Sequence, residues 1–281
     1  MKRSFSIILN MARVELHEWL LQPRMLSIGV LLIFIYHLVI APLIERANKL
    51  DAILNRLEPF IAVCNSSQAI MLIPLVFFIL FSDYPRISSN SLMILSRTGK
   101  REWLSGQLLF SVVSVLIYLC SLLCGSMLAC PIGMISTNWS DAVTKYEAAF
   151  PYEYGSFASM LLPSNLYNQL PMYRTFLLSF VWLFCYLVLL IIMQYFFRLI
   201  HLGSVGLLIE IFVIICGVLT CAIKTKWMWL FPMAHTIPWL HYTEIIQTPI
   251  VPIWLTNLYW AVLILFFTSC CYLKVNEFEF K

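Results

Sequence analysis

Charge is scarce in this sequence. Asp, Glu, Lys and Arg make up 11 % of its 281 residues, less than half of the ~25 % usual in soluble domains. Glycine is thin too, at 9 residues, and there is no low-complexity tract or strong internal repeat. Catalytic motifs are missing. No G-x-x-x-x-G-K-[ST] occurs: Gly99–Lys100 is followed by Arg101 and lacks the upstream glycine, so the chain cannot hold ATP through a P-loop. The absence of H-E-x-x-H excludes the commonest zinc-protease helix, and the absence of G-x-S-x-G excludes the lipase-type elbow. The nine cysteines offer no paired C-x-x-C spacing for zinc. Most lie in apolar runs, where a thiol packs as a small hydrophobe. Cys64 and Cys130 flank expected outer loops, and nothing in the spacing decides whether they pair. The net charge of +4 fits basic loop ends facing anionic lipid better than a nucleic-acid footprint, which needs a basic face or stripe.

What is present is apolar surface. Hydrophobic residues reach 61 % and the mean hydropathy is +0.87, against about 45–50 % apolar usage in soluble proteins. The solvent for most of this chain is lipid. No composition shift marks a second domain, so residues 1–281 read as one all-α polytopic membrane domain with about six spans of about 20 residues each. These are expected at Met25–Leu43, Ala69–Phe81 (bearing Pro74, a kink), Leu104–Cys130, Thr175–Phe197, Val205–Ile223 and Trp254–Leu273.

The N-terminus does not read as a cleavable signal. Its apolar part is broken by Asn10, Arg13, Glu15, His17 and Glu18. Within residues 1–24, Phe5, Ile8, Leu9, Ala12, Leu16, Trp19 and Leu20 fall on one helical face, with Asn10, Arg13 and His17 opposite. That pattern predicts an amphipathic helix lying in the membrane interface, apolar side down. Glu45–Gln68 and residues 131–173 read as outer loops. Residues 227–253 are apolar, yet Pro232, Pro238, Pro249 and Pro252 forbid one straight helix. Short interfacial or re-entrant helices are expected there, covered by protein or water. Lysine and arginine are denser in the loops on the side of the termini, which places both termini in the cytoplasm of a multi-pass cell-membrane protein.

Residues 82–103 are the most polar stretch between two spans. They carry Asp83, Arg86, Arg97, Lys100, Arg101 and Glu102, together with Ile87, Met93, Ile94 and Leu95. The arginines alone satisfy the positive-inside rule. Apolar residues set among charges add a second meaning: a short helix that plugs a groove of a soluble partner while Arg86, Arg97 and Arg101 pair with carboxylates.

This stretch, with Asp83-Tyr84-Pro85-Arg86 ending the second span and Ser96-Arg97-Thr98-Gly99-Lys100-Arg101-Glu102-Trp103 opening the third, resembles the coupling loop of type-2 ABC transporter permeases. The amphipathic start, six spans and insertion before the last span resemble the same family. Gln107 stands where many relatives carry lysine. The resemblance implies an exporter subunit that does no chemistry itself. Its cargo would be amphipathic or hydrophobic: a peptide, bacteriocin, drug or lipid-like molecule. It would bind no cofactor; ATP and Mg would sit on separate cytoplasmic ABC ATPases. A second permease subunit, identical or related, would meet it at the first, second and fifth spans. The coupling residues would be Asp83, Arg86, Ile87, Met93, Ile94, Arg97, Arg101 and Glu102, with Arg13, Glu15 and Trp19 in the transmitting interfacial helix. The residues by themselves leave two other classes open: an intramembrane enzyme, or a membrane scaffold or immunity protein that sequesters a peptide.

Within the spans, Glu210 and His37 are the polar exceptions. A carboxyl at the helix centre costs at least ~2.5 kcal/mol to insert. Glu210 reads either as a group lining a path or relaying coupling, or as a structural carboxyl near the inner end. His37 reads as an interhelical polar group. His241 and Glu244 share a helix face, but His235 fits no strict metal spacing, so these three read as loop or interface polar residues and no metal is expected. Asn65-Ser66-Ser67 and Asn138-Trp139-Ser140 match glycosylation sequons. Trp227, Trp229, Trp239, Trp254 and Trp260 read as interfacial anchors.

Overall fold

The computed structural model describes residues 2–85, 99–130, 133–153, 160–243 and 248–278. Arg86, Ile87, Met93, Ile94, Arg97 and Glu244 lie outside these residues. Helix α1 is Lys2–Leu20. The first span, α2, is Pro23–Lys49, opened by Pro23 at a position where its missing N–H costs nothing and widened by a π turn at Tyr36–Ile40. Then come α3 (Glu58–Asn65), α4 (Ser67–Phe81), α5 (Lys100–Leu128), short helices α6 (Asp141–Thr144), α7 (Tyr146–Ala149) and α8 (Ser164–Tyr167), and the long helices α9 (Met172–Leu199) and α10 (Gly203–Ala222). A broken segment holding α11 (Pro232–Thr236) leads to α12 (Ile253–Lys274). Strands β1 (Leu54–Asn55) and β2 (Gly133–Met134) pair in parallel, Leu54 opposite Gly133.

The protein is an all-α polytopic membrane protein. Among the described residues five helices are long and apolar enough to cross a bilayer, or six if α3 and α4, bent by 84° at their break, form one span. Helix α9 is the centre: 61 % of its most apolar stretch is buried, against 11 % for α12. In lipid no hydrophobic drive separates helix from tail, so close packing by small residues and interhelical hydrogen bonds must hold the bundle. Gly206 lets α10 lie against Phe197 of α9, where any Cβ would collide with that side chain. Tyr118 of α5 donates to the Ile73 carbonyl of α4 at 2.9 Å, and Trp182 of α9 donates to Asn257 of α12 at 3.0 Å.

The loop expected before the second span needs correction. Glu45–Gln68 is not an open loop: α2 runs on to Lys49, and Glu58–Asn65 is a fully buried helix. Pro59 sits in its first turn and Phe60, Ile61, Val63 and Cys64 supply packing. Asn65 is buried at the end of that helix and cannot serve as a glycosylation acceptor. Helix α1 divides its predicted apolar face between protein and surface. Phe5, Leu9 and Leu20 are exposed, while Met11, Ala12, Glu15 and Trp19 are buried, because the helix packs on α5 and not on lipid alone. Cys64 and Cys130, whose pairing the spacing left open, are both buried and are not joined by a disulfide.

At the end opposite the termini, residues 133–153 fold over α2 and α3. Glu58, fully buried, accepts from Ser140 N at 2.6 Å, Ser140 Oγ at 2.8 Å and Asn55 N at 3.0 Å. Lys49 Nζ bonds Glu153 at 2.9 Å, and Tyr146 donates to the same carboxylate. These bonds hold the Glu153 carboxyl below its usual pKa range. The Arg46 guanidinium, expected in an outer loop, is instead buried 4.3 Å from the centre of the Tyr146 ring.

Candidate coupling site

The end of the bundle that carries both termini gathers most of the predicted coupling residues that are described. Its centre is the corner Phe81–Pro85, where α4 stops. Arg24, in the first turn of α2, donates from Nη1 to Ser82 Oγ at 2.6 Å and pairs with Asp83 at 2.7 Å. Gln22 Nε2 donates to the Tyr84 hydroxyl at 3.2 Å. From α9, Gln194 Nε2 donates to the Phe81 carbonyl at 3.3 Å and Arg198 Nη2 donates to the Ser82 carbonyl. Beneath this polar layer lies an aromatic one. Phe81 contacts Trp19 at 5.4 Å, Phe110 at 5.9 Å and Tyr84 at 5.7 Å between ring centres, and Tyr84 contacts Phe110 at 4.8 Å. Four helices thus meet on one five-residue turn.

Helix α5 ties this corner to the remaining elements. Gly99 precedes it with φ of 99°, a left-handed geometry that favours glycine. Glu102 sits in its first turn, where an acid complements the helix dipole. Arg101 is exposed and Glu102 half-buried. Lys100 Nζ holds the C-terminal tail through the carbonyls of Asn276 at 2.9 Å and Phe278 at 2.7 Å. Gln107 Nε2, buried, donates to Glu15 Oε1 at 3.0 Å. Ser111 Oγ donates to the Tyr195 hydroxyl at 2.7 Å. Gly106 allows this fit: its missing Cβ would lie 3.0 Å from Met11 Cβ.

The predicted residues therefore separate. Asp83 joins the corner and Trp19 floors it; Glu15 is buried in the α1–α5 seam; Arg13 is exposed. His37 is not interhelical in the single chain, because it is exposed with its ring 5.2 Å from Tyr36. Glu210 is fully enclosed, and neither of its carboxylate oxygens has a hydrogen-bond partner. The sequence reading missed Arg24, Gln22, Gln194 and Arg198. The only available signal was that Arg24 and Arg198 are lone cations at span ends.

His235 and His241 come within 6.3 Å of each other between ring centres, in the segment before α12. Both are buried polar residues and not exposed loop groups. His235 contacts the Trp229 carbonyl at 2.9 Å and Thr256 Oγ1 at 3.2 Å, and His241 Nδ1 contacts the Val251 carbonyl at 3.1 Å. Burial lowers both pKa values, that of His241 to about 4. Trp260 is buried against Tyr186 instead of anchoring at the interface, while Trp227 and Trp254 are exposed as expected of anchors. The segment reaches the α3–α4 break through Trp239 Nε1, which donates to the Asn65 carbonyl at 3.2 Å.

No protein-family model, curated protein or solved structure matches this chain.

Proposed function

We propose that the chain is the membrane subunit of an ATP-driven exporter of the type-2 ABC class, moving an amphipathic or hydrophobic cargo and working with a separate cytoplasmic ATPase. The observation that supports this most is the joint at Phe81–Pro85. Segment 86–98 begins there, and the joint fastens the end of α4 to α2 through Arg24, to the α1–α2 link through Gln22, to α9 through Gln194 and Arg198, and to α1 and α5 through Trp19 and Phe110. Force delivered to such a segment reaches four helices without first unfolding any of them. Coupling a soluble motor to membrane helices requires that arrangement. ATP and Mg belong to the motor. A second permease subunit, identical or related, is the partner proposed for the exposed apolar faces of α2 and α10, on which Val30, Phe34, Leu208 and Phe212 lie.

The test is a pull-down of the full chain from mild detergent, probing for a P-loop ATPase. Co-purification that is lost on combined substitution of Met93, Arg97 and Arg101 by alanine is expected. A chain that comes alone from native membranes, or an ATPase held equally by the triple variant, sinks the reading.

A further inference from the structure

We propose that Arg198 is a two-position latch, held by the Ser82 carbonyl in this structure and able to turn to the Glu210 carboxylate when the Phe81–Pro85 corner moves. Three observations meet here. First, Glu210 is fully enclosed and neither oxygen has a hydrogen-bond partner. A carboxyl buried in that way keeps its proton, since an unpaired charge at that depth is too costly. Second, Arg198 is within electrostatic reach of both Glu210 and Asp83. Its Nη2 is committed to the Ser82 carbonyl, and no ion pair within 4.0 Å joins it to Glu210 among the described residues. Third, the geometry permits exchange. Arg198 closes α9 and Gly203 opens α10, with Gly206 drawing the two helices together against Phe197. Glu210 lies two helical turns into α10, a rise of ~10 Å from Gly203, on the face turned toward α9. The arginine also borders a cleft of about 240 Å³ shared with Pro85, Leu199, His201, Gly203 and Phe278 but not with Glu210, so its side chain is not packed in on the side of the corner.

The exchange is balanced. When the corner leaves Arg198, the guanidinium swings from the cleft to Glu210 and opens the enclosed carboxyl toward that cleft; its O–H bond breaks, the proton passes out to solvent, and an ion pair replaces a neutral acid. Displacement of the corner is thereby written as a charge change inside the membrane. What moves the corner rests on the exporter reading, but the latch itself is testable without any ATPase.

The probe is dicyclohexylcarbodiimide, which reacts with protonated carboxyls in apolar surroundings. The full-length chain is labelled in membrane vesicles and the adduct at Glu210 read by mass spectrometry. The wild type labels, and Glu210→Gln removes the adduct. Arg24→Gln, which cuts the tie to Ser82 and Asp83, loosens the corner and lowers labelling about fivefold or more, the low end of coupling between linked sites. Asp83→Asn does the same by a second route, guarding against misfolding of one variant. Adding Arg198→Gln to either restores wild-type labelling. Labelling that is unchanged in both corner variants, or a fall that Arg198→Gln leaves in place, overturns the latch. Failure of the ATPase pull-down leaves these outcomes untouched, so the two readings fall separately.

Discussion

Trp19→Ala tests what holds the N-terminal helix. Trp19 is fully buried, its ring 5.4 Å from Phe81 and 6.2 Å from Phe110. Truncating a buried tryptophan costs about 3–5 kcal/mol, part of it from the cavity left behind. Helix α1 makes its densest packing with α5, so the loss falls on local opening and not on the whole bundle. At ~1.4 kcal/mol per tenfold, a loss of ~3 kcal/mol lowers amide protection by about a hundredfold. The assay is hydrogen exchange of the full chain in nanodiscs, read on peptides covering residues 5–20. Leu9→Ala is the control. Leu9 is 51 % exposed, so a helix held by protein should change by less than ~0.5 kcal/mol. If lipid holds the helix, the order reverses: Leu9→Ala opens α1 and Trp19→Ala does little. Equal effects of the two substitutions, or that reversed order, would refute the docking of α1 on α5.

Gln107→Ala removes a buried hydrogen bond to Glu15, costing about 0.5–1.5 kcal/mol, and melting of the solubilised protein should be less than additive in the double variant with Glu15→Gln; additive losses would separate the two residues. Gly206→Ala forces a Cβ into Phe197 whereas Gly29→Ala meets nothing within 4 Å, so the first should destabilise by about 1–3 kcal/mol and the second should not, a contrast visible in the same melts. His235 and His241 have folded pKa values below their unfolded ones, so between about pH 6.5, the unfolded value, and the folded value of about 4 for His241 the unfolded segment binds more protons. The stability of residues 226–243 is therefore complete above the upper limit and falls as pH drops through that window. Tryptophan fluorescence and exchange across the segment should show the fall, His241→Gln should reduce it, and a pH-independent segment would count against the buried neutral histidines.

The existence, number and approximate ends of the long helices were legible because lipid imposes a length and an apolar composition that a one-dimensional pattern records. The expected spans Thr175–Phe197 and Val205–Ile223 lie within a few residues of Met172–Leu199 and Gly203–Ala222. The prolines of 227–253 likewise announced broken backbone, and 3-10 turns flank α11 there. The helix Glu58–Asn65 went unread because its charged and prolyl start resembles a loop. Only the neighbours that bury Phe60 and satisfy Glu58 make it a helix in the core.

The candidate site divides along the same line. Asp83, Arg101 and Glu102 could be picked out because charges between apolar runs stand alone in the sequence. Their partners could not. Arg24 meets Asp83, Gln107 meets Glu15 and Arg198 meets Ser82 across intervals of 59, 92 and 116 residues, and no periodicity records such separations. By itself the sequence determined a membrane-embedded helical chain, the polar segment between its spans, and an acid at bilayer depth, because each follows from local composition and the dielectric of the surrounding lipid. Tertiary structure alone decided which face of α1 is buried, that the Phe81–Pro85 corner joins four helices, and that Glu210 lacks a hydrogen-bond partner while Arg198 is engaged elsewhere. Each of these depends on which helices pack side by side, and side-chain geometry, unlike hydropathy, exists only once they have.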